Sequence, residues 1–284
     1  MFKSYGSGCV RAAVIATAFV CSTLRAQSSE SGQDSSKSAP EARGSADVAN
    51  KLQNPIADLI HIPLESNFEF GIGSDDQFAY ILNIQPVIPI PLGSHLKVIS
   101  RSILPVMDQP SSSGEGHTFG LGDWTQSFFF APAGNTAFVF GVGPVFSIPT
   151  GTSSDLGSGK WGIGPTGVAL YSKSGFTIGL LTNQIWSFAG PSDRSSVSQL
   201  LLQPFIAYTF KIAFAIKLQT ETNYDWENEQ WTVPLELGVS QTVAFGKLHV
   251  SFSVAGRVWV EGPSTAPDWA IRVPITFVLP DFGP

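Results

Sequence analysis

Cysteine is nearly missing from this chain. The only two, Cys9 and Cys21, lie within the first 26 residues, so the rest has no thiol, disulfide or thiolate metal site to build on. Charge is sparse too, at 13% of residues; with a formal net charge of −6 and no basic cluster, the chain does not suit nucleic acid as a partner. Beyond residue 26 no apolar run approaches the roughly 18 residues that a spanning helix needs. There is no His-Glu-x-x-His metal pair, nucleophile elbow or recognisable Ser–His constellation. His61, His95, His117 and His249 are read as solvated or hydrogen-bonded histidines. Asp225, Glu227 and Glu229 could ligate a divalent cation, but a solvated loop is the plainer reading. No catalytic residue, cofactor or metal is therefore expected, and the chain is read as a non-enzyme.

What is present begins at the N-terminus. Lys3 and Arg11, the apolar run 12–20 and then Leu24-Arg25-Ala26 have the layout of a secretory signal peptide over residues 1–26. Its removal takes Lys3, Arg11 and Arg25 with it and moves the formal charge from −6 to −9. Residues 27–50, rich in Ser, Gly, Asp and Lys without apolar period, are expected to be a disordered tail. Asn54-Pro55 offers an N-cap and a first-turn proline, so 54–59 reads as one short helical turn. Residues 51–60 thus form a short segment that could plug whatever follows.

The stretch from 61 to 284 reads as strands throughout. From Leu248 the apolar positions run Leu248, Val250, Phe252, Val254, Val258 and Val260, interleaved with His249, Ser251, Ser253, Ala255 and Arg257. Trp269, Ile271, Val273, Ile275 and Phe277 repeat the pattern against Ala270, Arg272, Pro274 and Thr276. Successive strand side chains point to opposite faces, so each strand has one apolar face and one small or charged face. Twelve such strands are expected: 61–72, 78–90, 96–107, 119–130, 136–149, 161–171, 176–188, 197–210, 213–224, 230–240, 247–260 and 268–279. The seventh and eighth are the least regular, because Leu181 and Leu201 fall on the polar face. Short connections (91–95, 131–135, 172–175, 211–212, 241–246) alternate with a set that includes the longer 108–118, 150–160, 189–196 and 261–267. Strands of this length with short turns at one end predict an antiparallel up-and-down β-barrel in the outer membrane, since only a closed barrel leaves no sheet edge in lipid. The implied partners are the lipid bilayer, the outer-membrane assembly machinery and an unidentified small solute.

Trp124, Trp161, Trp186, Trp226, Trp231 and Trp269, together with Trp259, fall at the long-loop ends of strands. Phe128–Phe130, Phe138, Tyr171, Phe176, Tyr208, Phe210 and Phe214 fall at the other. Amphipathic rings favour membrane interfaces, so two aromatic girdles are expected. By parity Arg101, Asp123, Lys217, Glu221, Glu236, Arg257 and Arg272 face the lumen as pore-lining candidates. Such charges must be hydrated in a channel or paired to seal the barrel. Inward Gly141, Gly143, Gly162, Gly164 and Thr166 leave space and favour the channel. Pro86, Pro144, Pro165, Pro204, Pro234 and Pro274 each remove a ladder donor, so bulges are expected there.

Several segments carry a resemblance: Asn54-Pro55-Ile56-Ala57, Leu82-Asn83-Ile84-Gln85-Pro86, Ile99-Ser100-Arg101, Gly120-Leu121-Gly122-Asp123 and Gly141-Val142-Gly143-Pro144. Lys160-Trp161-Gly162-Ile163-Gly164-Pro165, Leu202-Gln203-Pro204-Phe205 and Tyr224-Asp225-Trp226-Glu227 continue it. Together they resemble the phenol-degradation (MetA-pathway) family of bacterial outer-membrane proteins, also labelled transporters, over roughly residues 50–280. The resemblance implies an outer-membrane barrel and passage of small, aromatic or apolar compounds, and it transfers no catalytic residue. Three function classes follow: a channel or transporter, an anchoring barrel without flux, and an outer-membrane hydrolase, which the missing constellation disfavours.

Overall fold

The computed structural model describes residues 38–112, 114, 116–134 and 136–280, with side chains from Gly44 onward. The signal-peptide expectation for residues 1–26, the tail up to residue 37 and Asp281–Pro284 lie outside the described residues. A helix, α1 (Ser38–Lys51), precedes a single sheet. Its strands are β1 (His61–Ile72), β2 (Gln77–Ile84), β3 (Val87–Leu92), β4 (Leu96–Pro110), β5 (His117–Leu121), β6 (Trp124–Pro132), β7 (Phe138–Ile148) and β8 (Trp161–Lys173). They continue with β9 (Phe176–Ala189), β10 (Ser198–Thr209), β11 (Phe214–Thr220), β12 (Thr222–Asp225), β13 (Gln230–Phe245), β14 (Leu248–Glu261) and β15 (Trp269–Val278).

Each strand pairs antiparallel with its neighbour, and β15 returns to β1 in unbroken register from Phe70↔Trp269 to His61↔Val278. The sheet is therefore a closed barrel. β2 with β3, β5 with β6 and β11 with β12 are halves of single staves, which gives twelve staves at the places the alternation predicts. The chain enters β1 and leaves β15 at the short-turn end. There the two-residue Ser174-Gly175 turn, with φ of 53° and 85°, matches the strand twist and fixes the β8–β9 register.

Prolines lie at several of the interruptions, though not all of them make bulges. Pro86 separates β2 from β3, and the β13–β14 register shifts at Val233/Pro234. The register on either side places Glu221 opposite Pro234, where the missing N–H divides β11 from β12. Pro144 and Pro165 face each other across β7 and β8 without a bulge. In an antiparallel ladder, opposed residues that exchange no bonds aim their N–H groups at the outer neighbours. The β6–β7 and β8–β9 ladders are interrupted there, and Gly143 and Gly164 let the Phe128 and Gln184 carbonyls in where a Cβ would sit. Pro204 keeps register opposite Leu180, so the expected bulge is absent at that position.

Face assignment follows the pleat. On β14, Phe252, Val254 and Val258 are exposed outward, while Ser251, Ala255 and Arg257 are buried inward. Trp161, Trp186, Trp226, Trp231 and Trp269 are exposed at the long-loop end, as expected of a girdle, and Trp124 is half-buried there. Trp259 has inward parity, under the Arg257 guanidinium at 5.7 Å. At the short-turn end Phe130, Phe138, Tyr171, Phe176, Tyr208 and Phe210 are exposed. Phe129 is a correction, since it points inward and is fully buried.

The expected disordered tail is corrected over residues 38–50, which are helical. α1 packs against β10, β11, β13 and β14, with Ser45 and Ala49 buried and Asn50 donating to the inward Ser172 hydroxyl at 3.4 Å. Small residues in place of large apolar ones leave no amphipathic signal, because the partner is the inside of a barrel wall. After α1 the chain makes turns in place of the expected helical turn at 54–59. The Asn54 side chain accepts from the Ile56 N–H at 3.0 Å.

Candidate functional site

The lumen has an apolar half and a charged half. Near the short turns, inward Val87, Ile99, Phe129, Ala131, Val168, Leu170, Leu181 and Phe205 form one cluster, joined by half-buried Val139 and Leu201. Its central member is Ile56, fully buried and supplied by the N-terminal segment and not by the wall. Leu181 and Leu201, which break the polar pattern in the sequence, belong to this cluster or pack against it. The space beneath Gly141 is also taken, because a Cβ there would meet the Ile56 Cδ1 at 3.1 Å. Residues 45–57 therefore plug the barrel from the short-turn end, and Lys97 Nζ ties the segment to β4 through Asp58 at 3.3 Å.

Above the cluster lies a belt of charge. Arg257 donates through Nε and Nη2 to Glu236 at 3.0 and 2.7 Å and through Nη2 to Glu221 at 2.6 Å. Arg272 grips Glu221 with both Nη atoms at 2.9 and 3.0 Å, donates through Nε to Asn67 at 2.6 Å, and lies 3.3 Å from Glu236. Two of these links join register partners on adjacent strands, Glu236↔Arg257 and Asn67↔Arg272. The Arg272–Glu221 pair instead reaches past β14 and β13, and the break between β11 and β12 frees Glu221 to meet both arginines. Gln85 extends the belt by donating to Glu65 at 2.7 Å and accepting from Arg101 at 3.0 Å. Cavities of about 160 and 110 Å³ remain beside it, sharing Gln53, Glu65, Lys217 and Arg272.

The structure thus gathers Arg101, Lys217, Glu221, Glu236, Arg257 and Arg272 around one lumenal space. The pairing alternative holds for Arg257, Arg272, Glu221 and Glu236, in place of the favoured hydrated wall. Lys217 lies over the Phe205 ring at 5.4 Å. Asp123 is the exception. It sits in the gap between β5 and β6 and accepts from Gly151 N at 3.1 Å, Ser158 N at 2.7 Å and Ser158 Oγ at 2.6 Å, so it anchors the 149–160 loop. Glu65, Asn67 and Gln85 were missed. Parity along β1, counted from His61, would have placed Glu65 and Asn67, whereas Gln85 stands at the strand break that Pro86 imposes.

The long-loop end is strapped by the same 149–160 loop. The Asp155 carboxylate accepts from Ser111, Ser112 and Thr118 hydroxyls at 3.1, 2.5 and 2.9 Å, and Arg194 donates to the Ser154, Gly157 and Ser158 carbonyls. The hydrogen bonds from Ser112 and Thr118 hold the Asp155 carboxyl below its ordinary value of 3.8. A lowered folded-state pKa means the strap is favoured above 3.8 and loosens as pH falls through the still lower folded value. Pepsin cleavage within 149–160 should therefore rise steeply in that acid range, and Asp155→Asn should flatten the dependence. A rate independent of pH in the wild type would remove Asp155 as the latch. Asp225, the proposed loop acid, caps its own turn by accepting from Glu227 N and Asn228 N at 2.9 and 3.2 Å. His117 faces Asp108 at 3.2 Å, and His61 Nδ1 lies 2.9 Å from the Leu59 carbonyl.

A closed antiparallel barrel of twelve staves, apolar and aromatic outside and polar inside, is the architecture of an outer-membrane β-barrel protein, and the outer membrane is where this one resides. Its fold is similar to that of an outer membrane channel from Pseudomonas putida F1, with a TM-score of 0.59 at 15% identity over 78% of this chain and 95% of that one. It is also similar to the NanC porin, with a TM-score of 0.51 at 10% identity over 77% of this chain and 98% of that one. No protein-family model and no curated protein matches the sequence.

Proposed function

We propose that this protein is an outer-membrane channel for small molecules, closed in the present conformation by its own N-terminal segment, and not an enzyme. The observation that carries the reading is the occupant of the lumen. The short-turn end is closed where residues 45–57, which run on into the start of β1, meet the inward apolar side chains of the wall. The charged belt runs mainly from stave to stave along the wall from β4 through β1 to β10. Withdrawal of the plug would vacate the space that Ile56 takes beneath Gly141 on β7. The resemblance to the MetA-pathway family supports aromatic or apolar compounds as the solute class.

Bilayer conductance tests this. Burying an isoleucine side chain is worth about 1.5–3 kcal/mol, so Ile56→Asp should raise the open fraction by about tenfold or more. Deletion of 38–57 should leave the pore open throughout. A deletion variant that folds, shown by heat-modifiable migration, yet stays silent would favour the anchoring barrel without flux.

A further inference from the structure

We propose that the lumen holds a binding site for a small amphipathic carboxylate, formed by the apolar cluster and Lys97, and that Ile56 and Asp58 of the plug occupy it while the channel is closed. The proposal rests on the plug reading above and adds the chemistry of the ligand.

Lys97 is the first side chain of an inward row on β4 that continues with Ile99 and Arg101, and its ladder partner Ala131 belongs to the apolar cluster. Ile99 is paired with Phe129, so the lysine stands at the rim of the apolar pocket. Its side chain is only 9% exposed, and among the described residues its one ion pair is with Asp58. Asp58, 51% exposed, can return to water at little cost when the segment withdraws. Lys97 cannot, and an ammonium left in a nearly buried position without a counter-charge is expensive. The same withdrawal removes Ile56 from a pocket lined by Phe129, Leu170, Leu181 and Phe205.

Plug departure therefore opens an apolar pocket and strips the nearby lysine of its anion at one stroke. A ligand that satisfies both has an apolar body the size of an isoleucine side chain or a little larger and a single carboxylate. Ile56 and Asp58 are two residues apart, with Cα atoms at most about 7 Å from each other, so body and carboxylate are close enough to belong to one small molecule. One lysine with one carboxylate partner matches a monoanion. A neutral alcohol of the same shape would fill the pocket and leave the ammonium unpaired, whereas a bare carboxylate would do the reverse. Binding and closure become competitive, and the ligand acts as the agent that releases the plug.

The test uses full-length protein in lipid vesicles, with Cys9→Ser, Cys21→Ser and a fluorophore on Asp47→Cys, near the short-turn rim, reporting plug release through iodide quenching. Hexanoate should release the plug at concentrations at least tenfold below those of hexanol, the ratio that about 1.4 kcal/mol of ion pairing gives. Acetate should fail. Lys97→Gln should erase the hexanoate–hexanol difference, Lys97→Arg should retain it, and Ile56→Ala should lower the hexanoate needed. Equal potency of hexanol and hexanoate, or an undiminished preference in Lys97→Gln, would overturn the site. The label reports release whether or not ions flow, so the two readings fail separately. Release by hexanoate without conductance would sink the channel and keep the site. Conductance on plug deletion with no response to hexanoate would do the opposite.

Discussion

Arg272→Met should lower the stability of the barrel by about 3–5 kcal/mol, the usual loss when one partner of a buried ion pair is removed. Arg272 is 5% exposed and holds Glu221 with two bonds, Asn67 with a third, and Glu65 and Glu236 at 3.8 and 3.3 Å. Without it, Glu65 keeps Gln85 as its donor among the described residues, and the remaining cations no longer balance the carboxylates at this depth. Adding Glu221→Gln should recover much of the loss, because it restores the charge balance while Arg257 still bonds Glu236. The two changes should therefore be strongly non-additive. Urea-unfolding midpoints of the barrel in lipid vesicles would measure all three variants. A loss of no more than about 1 kcal/mol for Arg272→Met, the worth of a solvated pair, would mean that the belt is wet and the wall hydrated after all.

Val254→Arg should block assembly or cost about 2–4 kcal/mol, the penalty for an arginine at mid-depth on the lipid face of a barrel. Val254 is 48% exposed to the outside, opposite Val239 on β13, with apolar Phe252 and Val258 on the same face. Ser253→Arg lies one residue away and points into the larger lumenal cavity, where the side chain meets polar groups and Glu236. It should assemble normally. Folding yields in vesicles, read by heat-modifiable gel migration, compare the two directly. Equal tolerance at both positions would invert the face assignment.

Strand number, face and membrane class were legible in the sequence because each rests on a local rule. Alternation of period two sets the face, turn residues set the ends, and the lengths of successive connections set the up-and-down order. The two-faced pattern of 248–260 needs no distant partner to be recognised, and the same parity placed Glu221, Glu236, Arg257 and Arg272 inside. Parity says less about Asp123, because Gly122 and Asp123 leave the ladder at a strand break and the carboxylate is taken up by the 149–160 loop.

What only the tertiary structure decided is what those inward groups meet. Whether Arg272 is hydrated or paired depends on a carboxylate 51 residues away in sequence, brought near across β13 and β14 at the gap opposite Pro234. Leu181 and Leu201 looked like errors of pattern until Ile56 was found between the walls. Residues 38–50 looked structureless because their stability comes from being enclosed and not from their own periodicity. The sequence by itself determined a twelve-strand barrel with an apolar outside, since those features follow from neighbours along the chain. The plug, the sealed belt and the pocket shared by Ile56 and Lys97 arise from contacts across the lumen, which no local pattern encodes.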